Sequence, residues 1–518
     1  MWQGEPRHAV CNRAALAFVA SLISICAHAQ FDNSPSLSQP SNPIDDATAS
    51  PASEHGASKI LQGPLRALIR RPLPDTDTEP GVTQTESTKS WPRVNRDGNL
   101  LVTGSLTGAV GFFSMSNNEF DKPPALATAG YKSNPNWAEG FIEPGVTARY
   151  TLSSAASFYG GYAWMGTATR GTDNGGNGNT WHGDNEQLYA GMKWRDAASG
   201  FAIDASYGQQ DFQVGKGMLL SKGASNGPQR GANQIGPRAA WENAMLVTAS
   251  YQDFKLQGFW LKPNEATSAA TGTRLTGANL EWLPTGPVRF GAMWVHVPDS
   301  EIVTRDGLNV YDLRARIHPI AAAPNLWLEA DYAWQRKDNV AANGWLLQAN
   351  YNAKDMPWQP LFDFRYASLS GDKPGTPKWE GFDPLYFGGS NPNWYQGQIG
   401  STIFNNTNLD VASAGVTLNP DAKNIVILRY LYFSAAEINS PLSIPSPNTP
   451  PPTGGGVPSK SLASEFDVSW TYVIDKALNV NGFAAYAAPG SGYKDLYAAN
   501  GGSASGWWFF GAQFNFSY

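Results

Sequence analysis

The C-terminal segment alternates with a period of two. Trp508, Phe510, Ala512, Phe514, Phe516 and Tyr518 share one face, while Gly511, Gln513, Asn515 and Ser517 share the other. Successive side chains of a β-strand point to opposite sides, so this stretch reads as a strand with one aromatic and one polar side. An aromatic face this continuous needs an apolar neighbour, either a protein core or lipid. The same alternation recurs upstream. Tyr311, Leu313, Ala315 and Ile317 oppose Asp312, Arg314, Arg316 and His318, and Leu326, Leu328, Ala330, Tyr332 and Trp334 oppose Glu329, Asp331 and Gln335.

Eighteen segments of this kind can be counted, at residues 99–112, 140–153, 155–168, 184–196, 199–213, 241–251, 253–262, 272–283, 286–298, 308–319, 325–336, 343–353, 358–370, 407–418, 424–435, 462–474, 477–489 and 505–518. Their connections are expected to alternate strictly between tight turns and long polar loops. Pro284-Thr285-Gly286, Asn419-Pro420-Asp421-Ala422 and Asp475-Lys476-Ala477 are tight, whereas 114–139, 169–183, 214–240, 371–406 and 436–461 are long. A soluble sandwich has no reason to gather every long loop at one end. A transmembrane barrel does, because its periplasmic turns are short and its extracellular loops long. Lipid offers the backbone no hydrogen bonds, so a sheet that crosses it must close on itself. The fold expected is therefore an all-β, antiparallel, up-and-down transmembrane β-barrel of about 18 strands. A secreted all-β protein with aromatic core strands is the soluble alternative. Polar residues on the opposite face of nearly every segment favour a lumen over a second core.

Composition narrows the class further. Only 15% of the 518 residues are charged and 12% are aromatic, including 19 Trp, which excludes a disordered acidic chain. With 37 Lys and Arg against 43 Asp and Glu, the chain is no basic nucleic-acid binder. At the N-terminus, Arg7 and Arg13 precede an apolar run from Ala14 to Cys26, and Ala27-His28-Ala29 supplies a small-x-small cleavage pattern. Residues 1–29 thus read as a signal peptide, with a lipoprotein signal at Cys26 as the rival. Both cysteines, Cys11 and Cys26, fall in that segment, so the exported chain has no disulfide to make. Residues 30–96 are rich in Pro, Ser, Asp and Thr and read as a low-complexity periplasmic extension, with helical spacing only around 60–71. The barrel is expected over 97–518. No apolar run after the signal approaches the roughly 18 residues of a membrane helix.

Two stretches carry a resemblance. Phe364-Arg365-Tyr366-Ala367-Ser368-Leu369-Ser370-Gly371-Asp372, with Gly381-Phe382-Asp383-Pro384-Leu385-Tyr386-Phe387-Gly388 after it, resembles the strand-and-loop signature of the alginate export family of outer-membrane porins. Asp211-Phe212-Gln213-Val214-Gly215-Lys216-Gly217, with Arg230-Gly231 and Trp241 beyond it, looks like another part of that pattern. The resemblance implies an 18-stranded barrel in the outer membrane of a Gram-negative bacterium that carries an anionic polysaccharide outward. It also implies a charge-lined constriction near Asp363, Arg365 and the adjoining Arg314, Arg316 and Arg429. The late turns here are short, which leaves no long periplasmic turn late in the barrel to act as a plug. Gating would then fall to an inward-folded extracellular loop or to the extension.

By alternation, Arg149, Lys193, Arg195, Lys255, Arg289, Arg314, Arg316, Arg365 and Arg429 face the lumen. So do Glu143, Asp204, Asp253, Glu281, Asp312, Glu329, Asp331, Asp363 and Asp467. Guanidinium forks hold carboxylates, and a low-dielectric wall strengthens their field, so the basic residues suit a uronate polymer. Equally, charges of opposite sign can pair across strands and merely shape the pore. In the long loops, Lys373, Lys378, Trp379, Trp394 and Tyr395 combine cations with flat rings that suit sugar faces, and they are the gate candidates. Asp173 to Asn179 has a calcium-loop flavour, but its ligand spacing fails, so no metal site is expected. His55, His182, His296 and His318 show no metal-ligand spacing, no exported Cys is left as a nucleophile, and no cofactor motif is present. The chain therefore reads as a channel rather than an enzyme. Export of an anionic polysaccharide, with a periplasmic secretion complex as partner, is the first reading. Uptake of small organic anions or oligosaccharides is the second, and a non-conducting barrel that anchors capsule the third. Outer-membrane lipid is the expected surrounding and nucleic acid is not a partner.

Overall fold

A computed structural model describes residues 93–224, 230–388, 396–452 and 455–518. The expected signal peptide, nearly all of the expected extension and its 60–71 patch lie outside the described residues. The strands are, in chain order, β1 (Arg93–Asp97), β2 (Leu100–Ser116), β3 (Asn136–Thr151), β4 (Ala156–Gly171), β5 (Trp181–Arg195) and β6 (Ala202–Gln210). Next come β7 (Trp241–Tyr251), β8 (Phe254–Lys262), β9 (Arg274–Trp282), β10 (Val288–Asp299), β11 (Asn309–Ile317) and β12 (Leu326–Lys337). The last are β13 (Val340–Asn352), β14 (Leu361–Leu369), β15 (Leu409–Leu418), β16 (Asn424–Ser434), β17 (Ser461–Val473), β18 (Leu478–Pro489) and β19 (Trp507–Ser517). No helix among the described residues is long and apolar enough to cross a membrane, a statement that does not bear on strands.

Each strand from β2 to β19 pairs antiparallel with its sequence neighbours, and β19 returns to β2 with Trp508 opposite Ser116 and Ser517 opposite Thr107. The result is a closed 18-stranded antiparallel barrel, as the periodicity implied. Closure is completed at the C-terminal residue, where Tyr518 N donates to Leu106 O at 2.8 Å and Leu106 N donates to Tyr518 O at 2.9 Å. Below that point β2 would present a bare edge. The short β1 fills it, pairing Asp97 with Leu100 and Arg93 with Thr103. The last residues expected as extension, 93–96, therefore belong to the sheet, because an unpaired row of N–H and C=O groups is costly.

The alternation sorts the faces as expected. Outward positions of β11 and β19, such as Leu313 (48% exposed), Phe510 and Phe514, are exposed, while inward Asp312, Gln513 and Asn515 are buried. Apolar side chains this exposed on one continuous surface are tolerable in lipid and not in water. Aromatic pairs mark both rims. Tyr311 and Trp334 stack at 5.4 Å and Tyr486 meets Trp508 at 4.6 Å toward the long-loop end, while Trp282 and Phe290 stack at 5.9 Å at the short-turn end. Other aromatics of the strands follow suit: Trp194, Trp294, Tyr430 and Tyr432 are exposed and Trp260, Trp282 and Trp334 partly so.

Two expectations need correction. Strict alternation of loop lengths fails once: β12 and β13 are joined at the long-loop end by only Asp338-Asn339, with Lys337 opposite Val340. Asp253, placed in the lumen by alternation, lies instead in the exposed β7–β8 turn, where its carbonyl accepts the Leu283 N–H at 2.7 Å. The period-two count ran one residue too far into a turn.

A charge on the lipid face provides a stability test. Leu313→Arg should destabilise the barrel by about 2–4 kcal/mol if Leu313 sits near the bilayer midplane, measured as a shift in guanidinium unfolding of the protein in vesicles.

Candidate functional site

The two motif stretches that lie far apart in sequence meet inside the barrel. Residues of the β6–β7 loop (211–240) and the β14–β15 loop (370–408) run side by side: Tyr386 N donates to Leu219 O at 2.9 Å, Ser221 N to Tyr386 O at 2.9 Å, and Gly388 N to Gly217 O at 2.8 Å. The β8–β9 loop joins them through Asn264 N, which donates to Gly223 O at 2.7 Å. Phe212, Val214, Leu219, Leu220, Phe382, Leu385 and Tyr386 are buried in a core that these loops share with inward residues of the wall. Extracellular loops therefore fold into the lumen and form its constriction.

A buried ion pair anchors this assembly near the long-loop rim. Arg305, from the β10–β11 loop, donates from Nε and Nη2 to Asp383 at 2.8 and 2.7 Å, and both side chains are nearly inaccessible. Gln335 of β12 binds the Asp383 backbone, with Asp383 N donating to Gln335 Oε1 at 2.8 Å. The Arg305 guanidinium lies 5.5 Å from the Tyr386 ring centre, and the Tyr386 hydroxyl donates to Glu265 at 2.9 Å. Burial works against the Arg305 charge, but Asp383 more than offsets it and holds the group above its usual range. Burial likewise raises the Tyr386 phenol.

Inward acidic residues of the wall accept backbone N–H groups of the infolded loops. Glu139 of β3 accepts Gln234 N at 3.0 Å and Ile235 N at 2.9 Å. Glu186 of β5 accepts Ala239 N at 2.6 Å and Ala240 N at 3.1 Å, with Arg238 3.6 Å away. On β17, Glu465 accepts Ile399 N and Gly400 N at 2.8 Å each, and Asp467 accepts Gln398 N at 3.1 Å. Loops carry many unsatisfied donors, and a buried donor left without an acceptor costs about 1–3 kcal/mol. These carboxylates thus act as clamps. Glu139, Glu186 and Glu465 were not singled out from the sequence. Glu139 sits just outside its expected segment, and Glu186 is the extra residue where the β4–β5 register shifts between Ala163 and Trp164, so strict alternation misses it.

Toward the short-turn end, the wall carries the expected charges, and the structure divides them into two sectors. In the sector from β9 to β17, cations and anions pair. Arg314 donates to Asn279 Oδ1 and Glu281 Oε1 at 2.6 Å each and binds Asp312. Arg429 grips Asp363 with both Nη atoms, one bond measuring 2.9 Å. Lys216, delivered by the infolded β6–β7 loop, binds Glu329 and donates to Gln348 Oε1 at 2.9 Å. Arg316 lies 4.0 Å from Glu329 and stacks over Trp327 at 5.1 Å. Arg289 faces Arg316 across β10–β11, and Arg365 faces Gln348 and Ser413 across its two ladders. Glycine makes room for these forks. An added Cβ at Gly415 would stand 2.6 Å from Asp363 Oδ2 and 2.8 Å from Arg429 Cζ, and one at Gly215, whose φ is +54°, would stand 2.6 Å from Arg314 Cδ.

In the other sector, β3 to β8, Glu143 and Asp204 share the inner face with four cations, and Lys255 stands opposite Glu281 of β9. Arg149, Lys193, Arg195 and Lys255 line one cavity of about 720 Å³ on the lumenal wall, with Asp204 the acidic residue among its lining. Asp204 is engaged by Tyr159 and lies 3.8 Å from Lys193. Around Asp363 and Arg314, opposite charges thus pair, and Arg149, Lys193 and Arg195 stand on the facing strands.

Among the gate candidates, Lys373 and Lys378 are exposed. Trp379 is buried, and its backbone joins the β12–β13 hairpin, with Trp379 N donating to Asn339 O at 2.8 Å and Ala341 N to Trp379 O at 2.9 Å. The one low point of the barrel rim is therefore where the β14–β15 loop turns inward, and Trp379 anchors it there. Trp394 and Tyr395 lie outside the described residues. In the 173–179 turn, Asp173 Oδ1 accepts Gly175 N at 3.0 Å and Asn177 N at 2.8 Å, so the carboxylate caps its own loop.

A closed 18-stranded barrel with a lipid-facing apolar surface, infolded extracellular loops and a charge-lined lumen is an outer-membrane channel of a Gram-negative bacterium. The sequence profile described as "Alginate export" matches residues 166–505, well over half of the 518. The chain belongs to the alginate export family. None of the curated proteins matches it by sequence. Solved structures similar to it include OccAB1 of Acinetobacter baumannii, 11% identical with a TM-score of 0.49 over 80% of this chain and 96% of that one. OccK5 (OpdH) of Pseudomonas aeruginosa is 10% identical with a TM-score of 0.49 over 80% and 98%.

Breaking the buried pair tests the anchoring of the constriction. Asp383→Asn leaves Arg305 buried without its counter-charge and should cost about 3–5 kcal/mol of local stability. The expected outcome is faster proteolytic cleavage within 370–408 and larger open-channel current, with the barrel still resistant to unfolding.

Proposed function

We propose that this channel carries an acidic, alginate-like polysaccharide or oligosaccharide outward from the periplasm, without changing it chemically. The observation that carries the reading is the charge imbalance of the β3–β8 wall. Four cations, Arg149, Lys193, Arg195 and Lys255, line a cavity with Asp204 as the acidic residue among them, at the end of the barrel where the turns are short. In a transmembrane barrel the short turns face the periplasm. A polyanion approaching from that side meets positive potential before it meets the loop constriction, and focused potential of one sign raises the local concentration of the opposite charge. Guanidinium groups then suit the planar carboxylates of uronates.

Pairing supports the same direction. Five acidic residues of the wall, Glu139, Glu465, Glu281, Asp363 and Glu329, are engaged by loop backbone or by Arg314, Arg429 and Lys216, which blunts their opposition to a passing carboxylate. Export in turn implies a periplasmic secretion complex that presents the polymer to this mouth. Residues 1–29 as the signal and 30–92 as a periplasmic extension leading into β1 fit that orientation. Lys373 and Lys378, exposed on the β14–β15 loop, would meet the polymer at the outer side. Uptake of small organic anions would use the same wall from the other direction.

Flux through proteoliposomes tests the reading. Vesicles holding the channel should pass labelled oligouronate at least about tenfold faster than a neutral oligosaccharide of equal length. Equal rates would remove the acidic-polymer reading and leave a general porin.

A further inference from the structure

We infer that the lumen holds an uncharged saccharide-binding strip on β18, β19 and β2, separate from its charged walls, where hydroxyl and amide side chains hydrogen-bond the ring hydroxyls of a passing sugar chain. The inference rests on the reading above that the solute is a saccharide, and it adds a kind of contact that does not depend on the carboxylate.

The strands on either side of the closing seam differ from the rest of the wall. β18, β19 and β2 are consecutive in the ring and contain no charged residue, whereas β17 and β3, which flank them, carry Asp467 and Glu143 on the inner face. Burial sets the inward phase: Asn481 of β18, Gln513 and Asn515 of β19 and Thr107 of β2 are buried, while Tyr486, Phe514 and Val110 are exposed on the lipid side. Toward the short-turn end this inward face presents Asn479, Ser517, Thr103 and Ser105, joined on β3 by Thr147, and each of these is half-buried rather than covered. The register sets them side by side, with Asn479 opposite Asn515, Ser517 opposite Thr107 and Thr103 opposite Thr147. Asn479 Oδ1 accepts Asn515 Nδ2 at 2.8 Å and Asn481 Nδ2 at 3.2 Å, which commits its carbonyl and leaves its NH2 group to donate. Asn481 and Asn515 are 0% and 1% exposed, and their own Oδ1 atoms have no donor among the described residues, a demand that hydroxyl groups meet. Sugar hydroxyls both donate and accept, so they suit a surface of this mixed kind, whereas an ionised carboxylate only accepts. Phe483, two positions along β18 from Asn481, adds a half-buried inward ring held edge-on by Phe509 at 4.9 Å, a flat surface for the C–H face of a sugar. Charged walls beside a neutral strip match a chain that bears both carboxylates and hydroxyls.

The test is current block in planar bilayers holding the full-length protein, with three probes of equal length. These are an oligouronate, an acrylate oligomer of the same charge, which has carboxylates and no hydroxyls, and an uncharged oligosaccharide. Asn479→Leu, and Thr103→Val combined with Thr147→Val, should each shorten the blocked dwell of both saccharides about fivefold or more, the scale of one neutral hydrogen bond. The dwell of the acrylate oligomer and the unblocked conductance should not change, which separates a lost contact from damage to the barrel. Equal shortening for all three probes, unchanged dwells in both variants, or no block by either saccharide would overturn the strip. The ion preference of the unblocked current, read in the same traces, reports separately on the acidic-polymer reading. A cation-preferring channel whose saccharide dwells still fall keeps the strip and loses that reading, and an anion-preferring channel with unaltered dwells does the reverse.

Discussion

Every backbone N–H in this molecule must find an acceptor, on both sides of the barrel wall. On the lipid side no water can supply one, so the sheet closes, down to Tyr518 bonding Leu106 and β1 covering the last bare stretch of β2. On the lumen side the same demand decides where the loops go. A loop that folds inward leaves water and brings its donors with it, and Glu139, Glu186, Glu465 and Asp467 stand on the wall to receive them. The constriction is thus a second layer of hydrogen bonding laid against the first.

That division of labour sets the electrostatics of the pore. A lumen lined by comparable numbers of acidic and basic residues would favour neither sign if all were equally available. Here several of the acidic ones are engaged, Glu139 and Glu465 by loop amides and Glu281, Asp363 and Glu329 by Arg314, Arg429 and Lys216, while Arg149, Lys193, Arg195 and Lys255 line one recess near the short turns. Small residues are part of the device, since Gly415 leaves the space in which Asp363 and Arg429 meet.

The strands were legible from period-two alternation because lipid and lumen impose opposite demands on adjacent residues, and β11, β12 and β19 carry that contrast plainly. Nine cationic lumen positions, Arg149 to Arg429, could be assigned by phase alone. Phase fails where the register slips, which is why Glu186 at its bulge escaped notice, and where a strand ends, which is why Asp253 was misplaced. Loop destinations were not legible at all. Nothing local in Gly381 to Gly388 says that it will pair with Gly217 to Ser221, since those bonds join backbone groups separated by more than a hundred residues. For the same reason Trp379 looked like a ring offered to sugars, whereas it anchors a loop at the low β12–β13 rim. The two motif stretches made sense as a unit only once they met.

The central claim is that committed acids and a cationic periplasmic wall make this lumen prefer anions. It is tested most directly by the reversal potential of single channels under a potassium chloride gradient at low ionic strength, where charges are least screened. The account predicts a reversal potential of the sign set by chloride, moving toward zero as salt is raised. A reversal potential of the sign set by potassium would contradict it.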